Sequence, residues 1–95
     1  MIDNVYPVRV RKSIHSAEQK ILQAFLKELR EGKGILQKDF AVQIERPASY
    51  VSRYENGEKM LDLPELRQIC EALGITLVEF VQSYEARLAE LKTDR

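Results

Sequence analysis

Few side chains in this 95-residue chain suit catalysis or metal binding, because it holds one histidine and one cysteine. Those residues, His15 and Cys70, exclude an internal disulfide and a cysteine-based zinc cluster, and they disfavour a histidine-ligated metal. Clustered carboxylates with a matching base and a glycine-rich phosphate loop are also missing from the pattern. We therefore expect no enzyme, no metal and no cofactor, and look for contacts between polar side chains and a partner.

The charges balance overall but are unevenly placed. The chain has 15 basic and 15 acidic residues, yet residues 1–59 carry a net charge of +3 and residues 60–95 a net charge of −3. Arg9, Arg11 and Lys12 form a small basic cluster near the start. It suits contact with a polyanion backbone or a minor groove, or else belongs to a mobile or strand-like N-terminus. A neutral chain still binds a polyanion if its positive charge lies on one face.

The composition predicts one globular domain, since 44% of the residues are apolar and 32% are charged. No apolar run approaches the roughly 18 residues of a membrane span, and no signal peptide opens the chain. Together with the single cysteine, these features predict a cytoplasmic protein with no membrane partner.

Helix start and stop signals divide the chain into three parts. We predict that residues 1–15 form an N-terminal arm, with a candidate edge strand at 5–10. Residues 16–82 form the main domain, whose first helix begins at the cap residue Ser16. Residues 83–95 extend the last helix. Further helices are predicted at about 37–43 and 47–55, from the cap Asp62, and from the capping box at Thr76, so the fold is all-α with five helices.

The most informative segment is 37–55, where two short helices flank a tight turn at 44–47. Ala41 is small where a crossing helix must come close, and Val51 is apolar where the second helix packs back. Proline at position 47 disfavours helical geometry in the preceding residue and suits the first turn of the next helix. This pattern predicts a helix-turn-helix.

Residues 34–41, 49–57 and 66–74 closely resemble the Xre type of helix-turn-helix, the Cro and lambda-repressor DNA-binding family. The run Ser-Arg-Tyr-Glu-Asn-Gly at 52–57 is the most distinctive part. The resemblance covers residues 20–81 and extends to a bacterial subgroup of small stand-alone regulators. It implies a five-helix, lambda-repressor-like domain whose third helix enters the major groove.

The resemblance also implies roles for individual residues. The side chains placed to read base edges are Ala48, Ser49, Ser52 and Arg53. The side chains placed to contact phosphates are Gln37, Lys38, Arg46, Tyr50, Asn56 and Lys59. Arg30 and Glu55 match a structural ion pair of the family. The chain departs from the family pattern with Glu45 at the turn glycine, Leu36 at a serine cap and Ala48 at a polar position.

The last helix is longer than a compact five-helix core needs. Tyr84, Leu88 and Leu91 continue its apolar stripe and predict a seam between two chains. The alternative is that this stripe packs back on the first helix or the arm.

These features together predict a double-stranded-DNA-binding transcriptional regulator, a homodimer that acts by repression on a pseudo-palindromic operator. The alternative is a protein-interaction module, such as an antitoxin or an antagonist of another regulator.

Overall fold

A computed structural model describes residues 16–93, and all regular secondary structure in that range is helical. The helices are α1 (Ala17–Gly32), α2 (Gln37–Gln43), α3 (Tyr50–Glu55), α4 (Leu63–Ala72) and α5 (Leu77–Thr93). The all-α, five-helix fold is thereby confirmed. The predicted arm, its edge strand, its basic cluster and His15 lie outside the described residues.

Side-chain caps start three of these helices. The Ser16 hydroxyl accepts a hydrogen bond from the backbone N–H of Gln19 at 3.0 Å. At α5 the Thr76 hydroxyl accepts from the Glu79 N–H, and the Glu79 carboxylate accepts from the Thr76 N–H, both at 3.0 Å. Asp62 makes the corresponding box at α4. Each cap satisfies N–H groups that the helix itself cannot pair.

The start of α3 differs from the sequence prediction. We predicted helix from about residue 47, but 48–49 form a turn and α3 begins at Tyr50. The reason is local: the N–H of Tyr50 donates to the Pro47 carbonyl three residues back at 2.9 Å. This tighter turn precedes the first α-helical bond, from Arg53 N–H to the Ser49 carbonyl at 3.0 Å.

One apolar core joins all five helices. The rings of Phe25 in α1 and Phe80 in α5 stack with centroids 4.7 Å apart. Their neighbours are fully buried or nearly so: Leu26, Phe40, Ala41, Ile44, Val51, Tyr54, Ile69, Cys70 and Leu73. Because α2 and α3 each contribute to this core, their outer surfaces are held in a defined orientation.

Candidate DNA-binding interface

The crossing of α2 and α3 is set by small and apolar residues on their inner faces. Ala41 and Val51 are both completely buried, as their spacing predicted. The backbone N–H of Arg46 donates to the Ala41 carbonyl at 2.9 Å and closes the end of α2. Glu45, between them, adopts φ +58°. That left-handed geometry is the one a glycine adopts at lower cost, so the turn keeps its shape without the glycine.

The outer surface of α3 is open. Ser49, Arg53 and Asn56 are exposed and follow one another at helical spacing, and Ala48 is exposed just before them. Ser52 is half-buried, and its hydroxyl donates to the Ser49 carbonyl at 3.1 Å. The predicted base-reading residues therefore lie together at the surface, and Arg53 projects a guanidinium with the five-donor fork that suits a guanine edge.

A buried polar network holds α3 against α1 and α2. The Arg30 guanidinium donates to both Glu55 carboxylate oxygens, at 2.8 and 2.9 Å, and to the Ile35 carbonyl. The Gln37 amide donates to the same Glu55 carboxylate at 2.9 Å. The hydrogen bonds to Glu55 raise the pKa of Arg30. The proposed ion pair thus has the geometry expected of it, and Gln37 is bonded to it rather than pointing only outward.

A second polar cluster lies at the other end of α3. We call Arg46, Tyr50, Lys59 and Glu65 the Glu65 cluster. The Arg46 guanidinium carbon lies 4.8 Å, and the Lys59 ammonium 5.7 Å, from the centre of the Tyr50 ring. The Lys59 ammonium is 3.3 Å from the Glu65 carboxylate, and the Arg46 guanidinium is 3.9 Å from it. Two predicted phosphate contacts therefore already have an acidic partner within the protein.

Tyr50 occupies a different position from the other predicted phosphate contacts. Its side chain is buried, with 6% of the residue exposed. Burial, with the nearby Glu65 charge, raises the pKa of Tyr50 to about 12. The two cations lie over its ring, and this buried position does not support a direct phosphate contact by the hydroxyl. Lys38 and Asn56 are exposed, as a phosphate contact requires.

Sequence reasoning missed two members of this region. The sequence analysis gave neither Glu65 nor Gln68 a role in the candidate site. The Gln68 amide donates to the Ile44 carbonyl at 3.1 Å and accepts from Arg46 at 2.9 Å, which ties α4 to the turn. The capping pattern marks the position of Glu65, but no local signal shows which cations the fold brings to it.

The predicted C-terminal seam contacts α1 in part. The Tyr84 ring stacks on Phe80, and its hydroxyl donates to the Glu18 carbonyl at 3.2 Å. Leu88 is half-buried, and Leu91 lies in a groove with Ile21 of α1. This packing matches the alternative we considered for the stripe, and the dimer seam stays a prediction.

The described part of the chain has neither a metal-binding cluster nor a membrane-spanning helix. Within residues 16–93, no three His, Cys, Asp or Glu side chains are grouped so that they would hold a metal ion. In the same range, no helix is both long and apolar enough to span a bilayer.

An all-α domain whose third helix has an exposed outer face and a buried inner face is typical of the helix-turn-helix class. Comparison with known proteins agrees, because the helix-turn-helix family profile matches residues 26–80. The chain belongs to the helix-turn-helix family of DNA-binding transcriptional regulators.

Three individual proteins are similar to it. The control protein C.MunI of a Mycoplasma species is 43% identical over 61 residues, which cover 63% of this chain and 82% of that protein. The crystal structure of the wild-type restriction-modification controller protein C.Esp1396I matches with a TM-score of 0.70 at 23% identity, over 78% of this chain and 95% of that one. The clp gene regulator ClgR from Corynebacterium glutamicum matches with a TM-score of 0.60 at 26% identity, over 84% and 89%.

Proposed function

We propose that this protein is a sequence-specific controller of transcription that inserts α3 into the major groove of duplex DNA. The observation that carries the proposal is the open surface formed by Ser49, Arg53 and Asn56, backed by the buried Arg30–Glu55 pair. A reading helix needs both features, because base contacts require an accessible face and a fixed orientation. The protein acts by binding, without catalysis, in the cytoplasm.

The DNA contact that we propose for each residue follows from the chemistry of its side chain. Arg53 pairs with O6 and N7 of guanine, which contributes about 1–3 kcal/mol of discrimination against other bases. Ser49 and Ser52 donate or accept and therefore specify less, while Ala48 contacts a thymine methyl group. The surrounding Lys38, Asn56 and Lys59 contact phosphates and set the position of the helix without reading sequence.

The similarity to a control protein supports a more specific setting. C.MunI is named as a control protein, and C.Esp1396I as a restriction-modification controller. We place this chain in the same role, as a controller of restriction-modification genes. Repression follows if its bound site overlaps that of the polymerase, since occupancy alone then blocks initiation.

A homodimer is the assembly we propose, with two α3 helices in successive major grooves about 34 Å apart on a pseudo-palindrome. Besides the predicted seam, the structure contains an apolar region, the α4–α5 surface, made of the exposed Leu63 and Val78 and the partly buried Leu77. Leu63 and Val78 are 63% and 66% exposed. The groove beside them is lined by Arg67 and Glu71, which pair with each other at 3.2 Å, so a second copy seated there would leave neither charge without a partner. We favour this surface as the contact because Tyr84 is already packed on α1.

The test is selection of bound fragments from random duplexes, followed by fluorescence titration of the selected and scrambled sites across a salt series. We expect tighter binding to the selected site, and a log-log salt slope of about −0.9 for each phosphate neutralised. Equal affinity for the selected and scrambled duplexes would contradict the proposed sequence-specific function. Absence of duplex binding, with capture of one defined protein partner, would favour the antitoxin or antagonist alternative.

A further inference from the structure

Glu65 has a second set of contacts beyond its role in the α4 cap. One carboxylate oxygen accepts from the Asp62 backbone N–H at 2.9 Å, which completes the capping box. The other oxygen lies 3.3 Å from the Lys59 ammonium and 3.9 Å from the Arg46 guanidinium. The Glu65 side chain is 15% exposed, so its pairing with Lys59 is shielded in part from solvent.

The two cations paired with Glu65 lie beside the exposed face of α3 that carries Ser49 and Arg53. Both lie close to the ring of Tyr50, which directly follows the exposed Ser49 at the start of α3. Arg46 precedes α3 along the chain, and Lys59 follows it. Any DNA strand that passes the start of α3 would meet these two cations, and its phosphates would compete with Glu65 for them.

We propose that Glu65 is an electrostatic brake on phosphate binding at the start of α3, holding Lys59 and Arg46 in the unbound protein and weakening their contact with DNA. The inference rests on the proposed DNA-binding function. Its consequence is a lower affinity for all sequences, because phosphate contacts supply most non-specific binding. Glu65 does not weaken the base contacts made by Arg53, so the ratio of specific to non-specific affinity stays the same.

The Glu65→Gln variant distinguishes the effect of the Glu65 charge on DNA binding from the role of this residue in the helix cap. A glutamine amide oxygen still accepts from the Asp62 N–H, as either residue does in a capping box, but it no longer carries the charge that pairs with Lys59. For Glu65→Gln on a scrambled duplex we expect affinity to rise about fivefold at low salt, with a salt slope steeper by about 0.9 for each cation released. A purely structural role for Glu65 would instead lower affinity and leave the slope unchanged.

Glu58→Gln is the matched control. Glu58 is exposed three residues after α3 ends, and no described residue forms an ion pair with it, so the variant makes the same change in net charge without releasing a cation. An equal gain in both variants would mean that net charge alone is responsible, and would overturn the proposal.

The double variant Glu65→Gln with Lys59→Gln shows whether the effect passes through Lys59. We expect most of the gain to disappear relative to Lys59→Gln alone, since the released cation is no longer there. A full gain in the double variant would overturn the proposal.

Urea unfolding of every variant verifies that each is folded. If the parent fails to bind any duplex, the proposed function itself fails, whereas a parent that binds with an unchanged Glu65→Gln variant overturns only this inference.

Discussion

The Nε atom of Arg30 donates to the Glu55 carboxylate at 2.8 Å, joining residues that are 25 positions apart in the chain. Both side chains are almost completely removed from solvent. The contact connects the end of α1 to the end of α3, the helix that carries the open reading surface. The orientation of that surface therefore depends on a pair of charges that neither helix can satisfy alone.

Replacing one partner of this pair should destabilise the protein strongly. We expect Glu55→Gln to lower the free energy of unfolding by about 3–5 kcal/mol, because Arg30 would remain buried without its counter-charge. The measurement is urea denaturation followed by far-UV circular dichroism. The exposed pair of Arg87 and Glu28 has similar two-point geometry, so Glu28→Gln is the control, with an expected loss below about 1 kcal/mol. Equal losses in the two variants would contradict a special role for burial.

Arg53→Ala should reduce sequence preference more than affinity for DNA in general. The lost guanine contact is expected to cost about 1–3 kcal/mol on the preferred site, with a smaller loss on a scrambled duplex. Arg53→Lys retains the charge but not the planar fork, so it should preserve scrambled-site affinity and still lose preference. Competition titrations on both duplexes measure the ratio. A variant that discriminates as well as the parent would rule out Arg53 as a base reader.

The turn at Glu45 offers a stabilising substitution. Glycine adopts φ +58° without the strain that a side chain introduces, so Glu45→Gly should raise the free energy of unfolding by roughly 0.5–1 kcal/mol. Gly34 provides the reverse test, because its φ is +72° and an added methyl group would meet open space. Gly34→Ala should therefore destabilise by about 1 kcal/mol through backbone strain alone. Thermal unfolding of both variants decides whether backbone geometry governs these positions.

Self-association should respond to the α4–α5 surface. We expect Val78→Glu to convert a dimer to a monomer in sedimentation velocity, since it places a charge in a desolvated apolar contact. Leu91→Glu makes the equivalent change in the C-terminal seam, at a residue that is 38% exposed, and should leave the dimer intact. The opposite result would assign the interface to the seam of Tyr84, Leu88 and Leu91. Two dimeric variants would mean that neither surface carries it.

Cys70 should make stability fall in alkali. Burial raises the pKa of its thiol to about 11, whereas the unfolded chain ionises at its ordinary, lower value. Because the raised pKa belongs to the folded state, this contribution is complete below the unfolded value and is lost as pH rises towards the folded one. Between about pH 7 and about pH 10, the parent should lose roughly 1 kcal/mol more than Cys70→Ala. Parallel losses, measured by urea unfolding under reducing conditions, would show that the thiol is not responsible.

Much of the fold was readable from local signals. The bounds of α2 match the prediction, and the caps at Ser16, Asp62 and Thr76 lie where hydroxyl or carboxylate acceptors precede Gln or Glu by three residues. Helix ends are legible because capping bonds span only a few residues. The apolar spacing likewise predicted the buried positions of Ala41 and Val51. The start of α3 was misplaced because the turn after Pro47 competes with helix over the same residues.

The amino-acid sequence by itself determined the number of helices and their buried faces, since both follow from spacing along each helix. Its resemblance to the Xre family implied the outward position of Ser49 and Arg53. Only the tertiary structure decided that Tyr50 is buried, that Tyr84 packs on α1, and that Glu65 takes two cations. Those outcomes depend on which side chains meet across the turns. Pairings of that kind are settled by the shared core and by the desolvation of charges, which no single stretch of sequence contains.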